Sequence, residues 1–197
     1  MSKVKVPTVD LEKAKDDPSQ LKSLDKACRD HGFFLLKNHG MQEEIDDMWR
    51  MSEWFFNQPR EDKLKIIRTE SIPLGYYDRE LTKQKRDLKE VFDFMYPKSN
   101  GEDLNQWPEN KVFRSKMENF FSKASLVAEE TLRLVFLNLN SNGYQLPSGE
   151  KSTSNARLNY YPIHDPLEEK TRKDISKLGD MALHHHTDPG ILTLLIQ

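Results

Sequence analysis

Near the C-terminal end of this 197-residue chain runs His184-His185-His186-Thr187-Asp188-Pro189-Gly190. His186 and Asp188 are two residues apart. On a β-strand, side chains alternate faces with period two, so both would point the same way. An imidazole nitrogen and a carboxylate oxygen on one face are two of the three ligands of a facial non-haem iron site. His184 shares that face if the strand is regular, and a zinc set of His184, His186 and Asp188 is chemically conceivable. Those three positions span about 14 Å along a strand rising about 3.4 Å per residue, so they converge only across a bend. His184 and His185 therefore read as neighbours of the site. An isolated H-x-D is a common pattern, and its plainer reading is a polar strand end.

A second set of polar groups lies upstream. Ala156-Arg157-Leu158-Asn159-Tyr160-Tyr161 alternates and predicts a strand with Arg157, Asn159 and Tyr161 on one face. Arg157 is placed to meet an anionic substrate, although an exposed arginine at a strand start is the default. Tyr161 without further context is a half-buried sheet aromatic.

These residues need a scaffold, and the earlier sequence supplies its pattern. Val4–Leu11 reads as a short strand around Pro7. Asp17-Pro18 starts a helix, a capping residue followed by proline where the missing N–H costs nothing. Its apolar stripe of Leu21, Leu24 and Cys28 runs to Asp30, and Gly32 stops it. Phe33-Phe34-Leu35-Leu36 reads as a buried strand closed by Asn38-His39-Gly40, with Gly40 free to adopt positive φ. Glu43–Asn57 is helical. Lys63–Arg68 is a short helix or a turn, and Pro73–Tyr77 a loop or edge strand. Lys89–Tyr96 alternates as a strand, and Gly101–Pro108 is a polar loop holding Trp107. Asn110–Asn140 is the strongest helix, with apolar residues at three- and four-residue steps from Phe113 to Leu139. Ser141–Ser154 is a loop. Met181–Gln197 holds two strand-like runs broken at Pro189-Gly190. Helices first and paired strands later predict an α+β fold.

Composition narrows the function classes. Thirty Lys+Arg against 32 Asp+Glu leave a net charge of -2, with both signs interspersed. That argues against nucleic acid and against a polybasic membrane anchor as partners. The one cysteine, Cys28, cannot form an internal disulfide. With no secretory leader pattern and no membrane-length apolar run, a cytoplasmic setting is expected.

Taken in order, three segments resemble one known family. Gly32-Phe33-Phe34-Leu35-Leu36-Lys37-Asn38-His39-Gly40 resembles the N-terminal signature of the isopenicillin-N-synthase-like iron(II)/2-oxoglutarate-dependent dioxygenases. Asn159-Tyr160-Tyr161-Pro162 resembles the family's cosubstrate strand. His186-Thr187-Asp188 with Gly190 and Leu192-Thr193-Leu194-Leu195 resembles its metal-binding hairpin. The resemblance implies N-terminal helices bracing an incomplete double-stranded β-helix, or jelly roll. Residues 1–150 would form the N-terminal region and 151–197 the start of the jelly roll.

It further implies Fe(II) held by His186 and Asp188, 2-oxoglutarate as cosubstrate beside Asn159 and Tyr161, and O2. Asn159 would lie near the metal-binding end of 2-oxoglutarate, and the Tyr161 hydroxyl would help bind its distal carboxylate. The reaction implied is hydroxylation, desaturation or ring closure of a small organic substrate. Family members carry a second histidine downstream, then Arg-x-Ser, and no residue of this sequence matches either. The chain is accordingly expected to be truncated after the H-x-D, with two of three metal ligands. The alternative is an inactive product or an interaction module.

Overall fold

The computed structural model describes residues 5–82, 85–139, 153–167, 178, 188 and 190–197. The chain divides into two compact units. One comprises Met1–Ile45, Phe120–Ser148 and Gly190–Gln197, and the other Asp46–Asn119 and Gly149–Pro189.

In the first unit, strand β1 (Thr8–Asp10) pairs in parallel with β2 (Leu35–Lys37), with Val9 opposite Leu36. Parallel strands need a crossover, and helix α1 (Pro18–Asp30) provides it. Pro7 stands just before β1. It has no N–H to donate, but its carbonyl accepts from Leu35 N–H at 2.8 Å. The α1 boundaries follow from local chemistry. The Asp17 carboxylate accepts from Ser19 N–H at 2.8 Å, and Pro18 occupies the first turn. Gly32, at φ 75°, turns the chain away and donates to the carbonyls of Ala27 and Cys28.

The apolar stripe of α1 closes a core with β1 and the later part of helix α4 (Lys111–Asn138). Val9, Leu11, Ala14, Leu24 and Leu134 are buried, with Leu21, Cys28, Val127 and Val135 packed around them. The expected buried strand at Phe33–Leu36 needs correction. Phe34 and Leu36 reach this core, but Phe33 is 58% exposed and Leu35 57%. A two-stranded sheet covered on one side sends alternate residues outward.

Asn38 holds φ 55°, and its side-chain amide donates to the buried Asp10 carboxylate at 2.8 Å. Burial pushes the Asp10 pKa up. The Lys13 N–H, Asn38 and nearby Lys37 more than offset this and hold it below the usual range. Gly40 has φ 70°, and Met41 N–H donates to His39 Nδ1 at 3.2 Å. Asn38, His39 and Gly40 therefore serve the turn. The strand expected after Pro189-Gly190 does not form. Residues 190–197 are irregular, and no described strand pairs with them. A strand-like apolar run makes a strand only where a ladder partner is present.

In the second unit, β3 (Gly75–Tyr77), β6 (Glu90–Met95) and β7 (Asn155–Tyr160) form an antiparallel sheet in the order β3-β6-β7. Strands β4 (Leu81–Thr82) and β5 (Lys85–Arg86) pair antiparallel. Helices α2 (Gln42–Phe56) and α3 (Arg60–Leu64) precede the sheet. Tyr76, Phe92 and Leu158 form one cross-strand row facing an aromatic core. Phe55 of α2 meets Phe92 at 4.9 Å between ring centroids, and Phe113 at the start of α4 meets it at 5.4 Å. Trp107 packs on Phe92, Phe94 and Phe113, so its polar loop lends this core an aromatic ring.

Central strand β6 is buried on both faces, so its polar side chains need partners. Glu90 Oε2 accepts from Lys63 Nζ and from the Tyr76 hydroxyl, each at 2.6 Å. Burial first, and then the hydrogen bond to Glu90, raises the Tyr76 pKa far above the usual phenol value. Gly75 is required by two constraints. Its φ is 106°, and an added Cβ would lie 2.4 Å from the Ile66 carbonyl oxygen.

Candidate active site: the polar face of the β3-β6-β7 sheet

The face of this sheet opposite the aromatic core carries the polar residues of β7. Leu158 is buried in the core, so Arg157 and Asn159 lie on the other side by the two-residue period. Register places Asn159 opposite Val91 and Val91 opposite Tyr77. It places Arg157 opposite Asp93 in the next row. Asn159 is exposed, and so is Tyr161 just past the strand end.

Arg157 is held on that face by two carboxylates. Its Nε and Nη2 donate to the two oxygens of Asp93 at 2.7 and 2.8 Å, and its Nη1 donates to Glu80 at 3.2 Å. Arg68 bridges the same two carboxylates from the other side. It pairs with Glu80 and lies 3.3 Å from Asp93. The four side chains thus close a ring of alternating charge: Arg157, Asp93, Arg68, Glu80. The Arg68 guanidinium also stacks 3.9 Å over the Tyr77 ring. Lys89 Nζ stands 3.7 Å from Glu80 and 3.3 Å from Asp87.

The ring sets the electrostatics of the face. Burial raises the Glu80 pKa, but Arg157, Arg68 and Lys89 outweigh it and leave it below the usual glutamate range. Burial lowers the Arg157 pKa, and Asp93 and Glu80 outweigh that, so the guanidinium is held firmly charged. Exposure is uneven around the ring. The side chains of Asp93 and Glu80 are 5% and 15% exposed, those of Arg68 and Arg157 24% and 35%. The carboxylates lie inside and the guanidinium edges face out.

The structure therefore places Arg157 and Asn159 on one face of β7, with Tyr161 just past the strand end. Of the expected metal-ligand pair, Asp188 is described, exposed and outside any strand. His186, like His184 and His185, lies outside the described residues. Among the described residues no three His, Cys, Asp or Glu side chains gather as a metal cluster. Asp93, Glu80 and Arg68 escaped the sequence reading. Asp93 sits in phase on the alternating Lys89–Tyr96 segment, which marks its face but not its partner. Glu80 and Arg68 carry no local signal, because their pairing is made across the sheet.

Comparison with known proteins matches this architecture to one family. Residues 6–110 match the family described as non-haem dioxygenase in morphine synthesis, N-terminal. An Arabidopsis thaliana relative, homoarginine-6-hydroxylase 2-ODD-C23.1, is 31% identical over 194 residues, covering 90% of this chain and 56% of the relative. Among solved structures, JOX2 in complex with 2OG, Fe and JA superposes with a TM-score of 0.71 at 22% identity, over 94% of this chain and 53% of that one. A full-length Neurospora crassa protein in complex with alpha-KG gives 0.67 at 24% identity, over 85% and 57%. The chain spans about half the length of the relatives it matches. Its mixed helix and strand fold is that of the 2OG-Fe(II) oxygenase structures. No helix among the described residues is long and apolar enough to cross a membrane. The chain belongs to the isopenicillin-N-synthase-like family of iron(II)/2-oxoglutarate-dependent dioxygenases.

Proposed function

We propose that this chain contributes the N-terminal helices and opening strands of an oxygenase acting with iron(II), 2-oxoglutarate and O2. The product would be a small organic molecule that has been hydroxylated, desaturated or closed into a ring. In this reading, residues 1–150 brace a jelly roll that begins at 151–197. The observation that carries it is the polar face of β7, where exposed Asn159 stands beside a ring of fixed charge, in a chain matching the family over residues 6–110.

The donor chemistry fits the implied groups. A histidine nitrogen and a carboxylate oxygen, His186 and Asp188, suit iron(II) and leave coordination positions open. The Asn159 amide and the Tyr161 hydroxyl are hydrogen-bonding groups suited to the oxygens of a dicarboxylate. When bound, iron(II) and 2-oxoglutarate supply the oxidising equivalents drawn from O2. The chain's own residues bind and orient. Arg157 has five N–H donors by its chemistry, of which Asp93 and Glu80 engage three. Its remaining outward N–H groups suit an anionic oxygen of the substrate.

The test is calorimetric titration of 2-oxoglutarate, under nitrogen, into the iron(II)-loaded oxygenase that contains this chain. Asp188→Ala and His186→Ala should each weaken binding at least about tenfold. Unchanged affinity in both variants would overturn the reading.

A further inference from the structure

The four-membered charge ring ties Arg157, on the strand that carries Asn159, to Asp93 of β6 and to Arg68 and Glu80, and the proposed chemistry uses only the outward N–H groups of Arg157, not the ion pairs behind it. Among the described residues β7 is an edge strand, paired only with β6. An edge strand has a hydrogen-bonded ladder on one side alone, so less of its backbone is held by the sheet. Here a bidentate side-chain grip adds a second attachment. Asp93 holds Arg157 through both oxygens at 2.7 and 2.8 Å, a geometry that sets the guanidinium plane as well as its distance. Glu80 and Arg68 lock the other two sides, and Arg68 stacks on Tyr77 in the row that contains Asn159.

We propose that the Arg68–Glu80–Asp93–Arg157 ring is a positioning device for the cosubstrate strand, pinning β7 from its face so that Asn159 is presented in one orientation. This rests on the reading of Asn159 given above. Asp93 is buried beneath the guanidinium with both of its oxygens engaged by Arg157, so it acts through Arg157 and the strand. It is a positioning residue.

Asp93→Asn keeps the shape and removes the charge that grips Arg157. Titrated with 2-oxoglutarate in the iron(II)-loaded oxygenase, it should bind about tenfold more weakly than wild type, as loss of a supporting partner does. Asn159→Ala should lose a similar factor. The Asp93→Asn/Asn159→Ala double variant should be no weaker than Asn159→Ala alone, because one residue acts through the other. Without metal or cosubstrate, amide hydrogen exchange at Leu158, Asn159 and Tyr160 should quicken in Asp93→Asn while β3 keeps its protection. If Asp93→Asn does not fold, Arg157→Lys preserves the charge but not the bidentate grip, and should give the same pattern.

Wild-type affinity in Asp93→Asn, or a fully additive double variant, would overturn the positioning role alone. Asn159→Ala binding like wild type, with His186→Ala still defective, would remove the role of Asn159 and this inference with it, while leaving the metal reading intact. A wild-type oxygenase containing this chain that binds no 2-oxoglutarate would overturn both.

Discussion

Lys63 Nζ and Glu90 Oε2 meet at 2.6 Å inside an aromatic core, with the side chains 5% and 4% exposed. The Lys63 ammonium also donates to the Phe56 carbonyl at 2.9 Å and lies 5.4 Å from the centre of the Tyr76 ring. The Lys63–Glu90 pair thus ties the last turn of α2, α3, β3 and β6 together. Glu90 stands opposite Tyr160 of β7, whose ring stacks on Phe56 at 5.2 Å. The helices are joined in this way to the strand that bears Asn159.

Removing one member of this pair leaves the other charged and buried. Lys63→Met and Glu90→Gln should each lower the unfolding free energy by about 3–5 kcal/mol, because an uncompensated interior charge is costly. Replacing both, as Lys63→Met/Glu90→Leu, should cost less than the sum of the single changes. Urea unfolding of the three variants measures this. A single-variant loss below about 1 kcal/mol would show that the pair does not act as described.

The charge ring predicts an acid limb in stability. The Glu80 pKa is lowered in the folded chain: burial raises it, but Arg157, Arg68 and Lys89 prevail. A carboxylate with a depressed folded value adds stability that is fully present above its unfolded value, near 4.5. That stability is lost as pH falls from there through the lowered folded value. Unfolding free energy followed downward from pH 6 should therefore fall below about pH 4.5, and Glu80→Gln should flatten that limb. A slope identical in wild type and variant would count against the ring as a source of acid sensitivity.

Gly75 is the most constrained glycine of the sheet. Gly75→Ala places a Cβ 2.4 Å from the Ile66 carbonyl oxygen at φ 106°. The backbone must shift, and the expected loss is about 2 kcal/mol or more. Gly32→Ala also falls at positive φ, but nothing lies within 4 Å of the added atom. Only the conformational cost of about 1 kcal/mol applies there. Thermal unfolding of the two variants should rank them in that order, and equal losses would remove the steric argument.

Much of the scaffold is legible because its signals are local. Asp17-Pro18 and Gly32 bound α1 through caps that involve only neighbouring backbone groups. The repeat from Phe113 to Leu139 announces α4, and the alternation at Lys89–Tyr96 and Ala156–Tyr161 announces β6 and β7. The Phe33–Leu36 run overstates burial, because an apolar run states a preference for burial and not how many faces a neighbour will cover. Residues 191–197 carry the same kind of apolar pattern, yet they form no strand without a partner.

The sequence by itself determined the order of the main helices and of β1, β2, β3, β6 and β7, the family, and the residue types available for the expected chemistry: His186, Asp188, Asn159, Tyr161 and Arg157. Spacing of two on a strand is enough to put Arg157 and Asn159 on one face, since the pleat has a fixed period. Only the tertiary structure decided that Arg157 is gripped by Asp93 and Glu80, and that Lys63 and Glu90 meet within the core. These pairs join residues 64, 77 and 27 positions apart. The pairing energy depends on distance and burial, which no local pattern encodes, so the charges that order the face appear only once the strands are in register.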